Sequence, residues 1–175
     1  MPQLTHPWPA VADQQSRVLI LGTFPSPRSR QFGFYYGHPQ NLFWSTLATV
    51  FEAEEPAATV EARRQFLLDH QVAVWDVVAA CQIDGAADSS IRCPQPHRFR
   101  PLLTASPIQA IFTTGRKATD LFQRLCVDEA GMAATYLPST SPANRGGQAK
   151  PEFWQQWRLV RSVLDGEASP SKCGT

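Results

Sequence analysis

The residues best equipped for chemistry fall in one stretch. Gly22-Thr23-Phe24-Pro25-Ser26 is followed by Tyr35-Tyr36-Gly37-His38-Pro39-Gln40-Asn41-Leu42-Phe43-Trp44. Glycines allow close backbone approach, prolines stiffen a loop, aromatic rings stack, and a carboxamide gives and takes hydrogen bonds. Together these are the ingredients of a pocket for a planar heterocyclic base. A second stretch, Pro138-Ser139-Thr140-Ser141-Pro142-Ala143-Asn144-Arg145-Gly146-Gly147, is rich in hydroxyls and amides, which are ordinary ligands of phosphate.

The elements around these stretches say how they are positioned. Val18-Leu19-Ile20-Leu21 ends a buried strand over 17–21, and residues 42–51 carry apolar side chains at helical spacing. Residues 71–78, 108–114 and 133–137 read as three further strands. Helices are expected at 57–69, 97–104, 115–127 and 150–164, with 81–90 a surface loop and residues 1–16 and 166–175 irregular. Strands alternating with helices imply parallel pairing through crossovers. The expected fold is α/β: a three-layer α/β/α sandwich on a mostly parallel four-stranded sheet. The two polar stretches both follow strands, so they emerge on one sheet edge, where open α/β sheets bind ligands.

The 175 residues suit one domain, 1–175, with its core at about 17–165. No apolar run approaches the roughly 18 residues of a membrane span. The N-terminal residues lack the basic and apolar regions of a signal peptide, which makes the cytoplasm the default location. Cys81, Cys93, Cys126 and Cys173 show no C-x-x-C spacing, so they read as reduced structural thiols and not as a zinc or iron–sulfur site. The net charge of +1 divides unevenly. Residues 1–91 hold five Lys and Arg against nine Asp and Glu, and residues 92–175 hold eleven against six. That split permits a positive face but equally fits a mixed solvated surface.

The two stretches resemble the motifs of the uracil-DNA glycosylase superfamily, and most closely its hypoxanthine-DNA glycosylase (DNA-deoxyinosine glycosylase) branch, family 6. Trp75-Asp76-Val77, Asp84-Gly85 with Asp88 and Ile91, Phe99-Arg100-Pro101-Leu102-Leu103, and Ile111-Phe112-Thr113-Thr114-Gly115 are similar to that branch too. The resemblance runs from about residue 17 to residue 160. It departs from its mismatch-specific uracil relatives at Phe24, where they carry a water-positioning Asn. It departs from classical uracil glycosylases in the second stretch, which has no catalytic His and has Ala143 in place of a leucine wedge. Thr114 replaces an Asn common before the glycine of the third strand end.

The resemblance implies a monofunctional enzyme of base excision repair. It would hydrolyse an N-glycosidic bond in damaged DNA after flipping the base out of the duplex. Hypoxanthine is the first substrate, and a uracil or thymine mismatch glycosylase is the alternative. It further implies no cofactor, no metal and a monomer. By the same resemblance Asn41 is catalytic, donating to the flipped base or orienting the water. Thr23, Phe24, Pro25, Tyr36 and Thr114 are base-binding. Ser26, His38, Ser139, Thr140, Ser141, Asn144 and Arg145 contact DNA.

Each residue also has a structural reading. Asn41 opens a helix, where Asn is a favoured cap. Tyr35 and Tyr36 can cover the core. His38 precedes Pro39 and suits a structural hydrogen bond. The Ser-Thr-Ser run suits a capping turn. Asp76 and Asp84 are carboxylates near a strand end, Asp76 as a general base or in a structural role, and Arg28 and Arg30 flank the expected cleft. A silent damage-binding module on the same scaffold and a small-molecule α/β enzyme are the readings from other classes.

Overall fold

A computed structural model describes residues 1–167. Its centre is a four-stranded sheet of β2 (Val18–Gly22), β3 (Val72–Asp76), β6 (Ala110–Thr114) and β7 (Ala134–Leu137). The order is β3-β2-β6-β7 and every neighbouring pair is parallel. Register pairs Gly22 with Asp76 and Thr114 with Leu137, so the strand ends that precede the polar loops line up at one edge.

Successive side chains of a strand point to opposite faces, and here both faces are covered. Val18, Ile20, Val72, Val74, Ala110 and Phe112 enter one core with helices α2 (Phe43–Phe51), α3 (Val60–Asp69) and α8 (Pro151–Leu164). Leu19, Leu21, Ala73 and Ile111 enter the other, with Ala118, Leu121 and Phe122 of α5 (Arg116–Leu125). That is the expected three-layer α/β/α arrangement. β2 and most of β3 and β6 are apolar because neither of their faces meets water.

The second core has a partner that the sequence pattern does not announce. A three-stranded antiparallel sheet of β1 (Leu4–Thr5), β4 (Val78–Gln82) and β5 (Arg92–Pro96) supplies Val78 and Cys81 to it. Residues 71–78 are thus not one strand. At Val77 the chain leaves the parallel sheet, and the Val77 and Val78 N–H groups donate to the Gly22 and Thr23 carbonyls at 2.8 and 3.1 Å. Residues 1–16 are not irregular throughout. β1 pairs with β4, and Val11 bridges to Val74.

Other boundaries shift for local reasons. The loop after β2 contains α1 (Pro27–Phe32), capped by Ser26, opened by Pro27 and closed by Gly33 in the left-handed conformation. Thr59 caps α3, so that helix starts at Val60 and not at Ala57. α4 (Arg100–Ala105) starts after His97, because the His97 N–H is held by the Val77 carbonyl. The helix expected at 115–127 breaks at Cys126, and α6 (Val127–Ala130) follows. The second polar loop contains a 3-10 turn at Pro142–Asn144 and the short α7 (Arg145–Gln148). Among the described residues Cys81 and Cys126 are buried and Cys93 is exposed, all as free thiols. Burial pushes the Cys126 thiol up to about 12. Cys173 and residues 168–175, expected to be frayed, lie outside the described residues.

Candidate active site

The loops after β2 and β7 face one another across a cavity of about 500 Å³ at the carboxyl edge of the parallel sheet. Thr23, Phe24, Pro25, Ser26, Tyr36 and Asn41 line it from one side, and Ser139, Thr140, Ser141 and Asn144 from the other. Thr114 lies on its floor side, at the end of β6. Eleven of the thirteen residues singled out in the sequence therefore share one hollow.

Asn41 is held by its oxygen. Oδ1 accepts from the Phe43 N–H at 3.0 Å and from the Thr140 hydroxyl at 2.7 Å. A backbone N–H can only donate, so this contact fixes which end of the carboxamide is oxygen. Nδ2, a double donor, has no protein partner among the described residues and is left for whatever enters the cavity. Asn41 is therefore not the N-cap of α2: Leu42 holds that place and has no side-chain cap bond. Asn41 lies one residue earlier, where its oxygen holds the N–H of the first helical residue and, through the same bonds, its N–H₂ group is oriented.

Tyr36 is fixed on three sides. Its ring stacks on Phe43 with centroids 3.7 Å apart and planes 6° from parallel. Its hydroxyl lies 3.1 Å from Thr114 Oγ1, which donates to the Leu21 carbonyl at 3.2 Å. Thr114 has one proton to give, so Tyr36 is the donor of the first bond. Its carbonyl accepts from Trp44 Nε1 at 3.2 Å. The backbone of Tyr36 has φ of 50°, a conformation unusual outside glycine that the surrounding bonds hold in place. Burial, and then the nearby Asp76, push the phenol far above its ordinary range, so it stays neutral.

His38 and Arg145 do not line the cavity. His38 Nδ1 accepts from the Gln40 N–H at 3.0 Å, a local turn. Arg145 Nη2 donates to the Gln40 carbonyl at 3.1 Å and ties the two loops together from outside. The Ser-Thr-Ser run is internally bonded as well. Ser139 Oγ accepts from the Ser141 N–H, Ser141 Oγ from the Ala143 N–H, and Asn144 Nδ2 donates to the Ser139 carbonyl. Ser26 caps α1.

The cavity includes residues that sequence reasoning did not place there. Ala86, Ala87 and Asp88, read as plain surface loop, reach its rim, and Arg116 lies over the Tyr136 ring at 5.0 Å on the other side. Asp88 is an exposed residue, yet the protein around its carboxyl pushes it up, with a Thr23 hydrogen bond opposing and the Asp76 charge adding. Asp76 lines the cavity and is almost buried. The signal for it was its position at the carboxyl end of a buried strand. Asp84 and Arg28 are exposed and Arg30 is half-buried, and all three lie outside the cavity.

Among the described residues no group of three or more His, Cys, Asp or Glu is placed to hold a metal ion. No helix among them is long and apolar enough to cross a membrane. The arrangement offers fixed neutral donors, a rigid aromatic ring and one nearly buried carboxylate to a planar guest.

Comparison with known proteins places this geometry in context. The family model described as "Uracil DNA glycosylase superfamily" matches residues 9–161. A protein of Methanosarcina acetivorans named hypoxanthine DNA glycosylase is 32% identical over 154 residues, covering 87% of this chain and 95% of its own. One of the same name from Methanosarcina barkeri is 29% identical over 139 residues, covering 79% and 87%. The solution NMR structure of a candidate uracil DNA glycosylase from Methanosarcina acetivorans superposes with a TM-score of 0.75. It is 30% identical and covers 90% of this chain and 96% of that one.

Proposed function

The chain belongs to the uracil DNA glycosylase superfamily, and from that premise we propose that it excises hypoxanthine from deoxyinosine-containing DNA. It is a DNA glycosylase for deaminated bases, as the hypoxanthine DNA glycosylases at about this similarity support. The observation that carries the finer reading is the pairing of Asn41 and Tyr36 in one cavity, with the Asn41 oxygen already bound and its N–H₂ free.

As the N-glycosidic bond breaks, the sugar gains oxocarbenium character and the base gains negative charge. Donors fixed in advance at the place where that charge appears lower the barrier most, because nothing need reorganise. Asn41 Nδ2 is such a donor. The Thr23–Phe24 turn is pinned by the Gly22 and Thr23 carbonyls, which accept from the Val77 and Val78 N–H groups, and its backbone meets the base edge. Tyr36, backed by Phe43, supports the flipped ring. Phe24 stands where a water-positioning amide would have to be for the mismatch-type mechanism, and a phenylalanine cannot bind water in that way. Ser139, Ser141 and Asn144 present hydroxyls and an amide at the rim for the flanking phosphates. The protein works as a monomer.

The test is a panel of otherwise identical duplexes carrying inosine, uracil or a G·T mismatch, scored for free base and abasic product. Inosine is cleaved first. Cleavage of uracil with inosine untouched overturns the hypoxanthine assignment, and tight binding of inosine DNA with no base released identifies a silent binding module instead.

A further inference from the structure

The two oxygens of Asp76 have different tasks. Oδ2 accepts from His6 Nε2 at 2.8 Å, and the two side chains are only 1% and 7% exposed. His6 is itself immobilised. Its Nδ1 lies 2.8 Å from the Trp8 carbonyl, and the rings of Trp8, Phe24, Tyr35 and His97 surround it at 4.9 to 5.9 Å. The N-terminal lead-in that carries it is pinned on either side of His6 by β1 and by the Val11–Val74 bridge. Oδ1 has no hydrogen-bond partner among the described residues. It turns toward Gly22. A methyl group there would sit 2.5 Å from Oδ1 and 3.2 Å from Tyr36 Oη. Glycine at this position leaves a bare carboxylate oxygen open at the cavity floor.

A flipped base meets that oxygen with its edge. Deamination changes the edge in a specific way: adenine N1 carries a lone pair, whereas hypoxanthine N1 carries a hydrogen. Cytosine N3 and uracil N3 differ in the same sense. A carboxylate oxygen is acceptor-only, so it attracts the deaminated base and repels its parent. The neighbouring hydroxyls do not compete for this task, since Tyr36 and Thr114 bond to each other and onward to Leu21.

We propose that Asp76, oriented by His6, is the specificity-determining residue that distinguishes a deaminated base from its parent by accepting the ring N–H that deamination creates. This rests on the glycosylase reading and names the feature of the base that the cavity recognises. His6 is a positioning residue, clamping Oδ2 so that Oδ1 always faces the guest. A near-buried carboxylate at the floor of the cavity meets the ring that fills it, whereas a base for the attacking water must reach the sugar. Guanine also carries an N1–H, so its exclusion falls to contacts around its 2-amino group.

The test compares binding of uncleavable 2′-fluoro-arabino oligonucleotides holding hypoxanthine or adenine opposite an abasic site, where no lost base pair differs between them. The wild type binds the hypoxanthine strand roughly ten- to a hundred-fold more tightly, the range for a hydrogen bond to a charged group. In Asp76→Asn the His6 N–H holds the new amide oxygen and turns its N–H₂ to the cavity. The preference then falls to within about three-fold or inverts, as one hydrogen bond to a charged group is lost. A variant-free arm uses 2′-fluoro-arabino nebularine, a purine without the N1 hydrogen or the 6-oxygen, which the wild type binds no better than adenine. Nebularine bound as tightly as hypoxanthine, no preference in the wild type, or a preference surviving or both affinities falling equally in Asp76→Asn overturns the assignment. Cleavage of ordinary deoxyinosine DNA by the wild type is measured alongside. Its absence defeats the glycosylase reading, whereas its presence with unchanged base preference defeats the Asp76 assignment alone.

Discussion

Thr140 donates its hydroxyl to Asn41 Oδ1 over 2.7 Å, although 99 residues separate them. The bond joins the loop after β2 to the loop after β7, and the Leu42 N–H to Thr140 carbonyl bond at 3.1 Å runs beside it. The two sides of the cavity are thus stitched at the residue whose amide N–H₂ has no protein partner among the described residues.

Replacing Asn41 by Ala removes the two hydrogen bonds made by Oδ1 and also the free donor. Excision is expected to fall at least about a hundred-fold, the scale for losing one fixed donor to developing charge. Stability is expected to fall by about 1–3 kcal/mol, the scale for losing two hydrogen bonds. Single-turnover cleavage and a denaturant melt separate the two. A folded variant with full activity removes Asn41 from the mechanism.

Thr140→Val keeps the shape and deletes the hydroxyl that orients Asn41. Losing one neutral hydrogen bond costs about 0.5–1.5 kcal/mol, so single-turnover cleavage is expected to slow roughly three- to ten-fold with DNA affinity little changed. Thr140→Ser restores the donor and the rate. A purely structural Thr140 would lower stability in the Val variant without this rate-specific loss and rescue.

The parallel sheet and both polar loops were legible because β2 is a short apolar run that ends at Gly22 and β7 a short run that stops at Pro138, each followed by a stretch rich in Pro, Ser and Thr. Parallel strands must deliver the loops that follow them to one edge. The second sheet was not legible. β5 is short and mostly solvated, and it holds Pro94 and Pro96, which read as breakers. Only Asp76 interrupts the apolar residues between β3 and β4, so they read as one run that hides a change of sheet at Val77. α1 left a signal that goes unread in a loop full of prolines: Ser26 and Pro27 at its start and Gly33 at its end. In the site, Asn41, Tyr36 and the hydroxyl run follow from residue type. His6 does not, because a lone histidine among prolines has no periodicity, and only the pairing of β1 with β4 brings it to Asp76.

Gly22→Ala tests the close approach at the floor. The new methyl would stand 2.5 Å from Asp76 Oδ1 and 3.2 Å from Tyr36 Oη, so the carboxylate must move. β2 is extended here and tolerates alanine in its backbone, so the fold is retained. Excision is expected to fall more than about ten-fold, since sub-ångström misplacement at a site is costly. Full activity in a folded Gly22→Ala would show that Oδ1 does not contact the base.

Tyr36→Phe keeps the ring on Phe43 and loses the hydrogen bond to Thr114. Stability is expected to fall by about 0.5–1.5 kcal/mol with base binding nearly intact. Tyr36→Ala loses the ring as well, and affinity for an uncleavable inosine oligonucleotide is expected to fall by about 1–3 kcal/mol, the scale of one base–aromatic stack. Equal affinities for the two variants would remove stacking from the account.

His97 gives the fold an acid-side weakness. Its ring stacks on Trp75 at 3.8 Å, its Nδ1 bonds the Asp76 carbonyl at 2.9 Å, and its burial pushes it down to about 4. An unfolded chain takes up that proton near pH 6.5, whereas the folded one resists until about pH 4. Between those values the unfolded state binds more protons, so stability declines as pH falls from about 6.5 to about 4 and levels off below. The ring is half-buried, which holds the effect to roughly 2 kcal/mol. Urea melts across this range are expected to show the slope in the wild type and a flatter profile in His97→Gln, which cannot titrate. An identical slope in both proteins would assign the acid sensitivity to other groups.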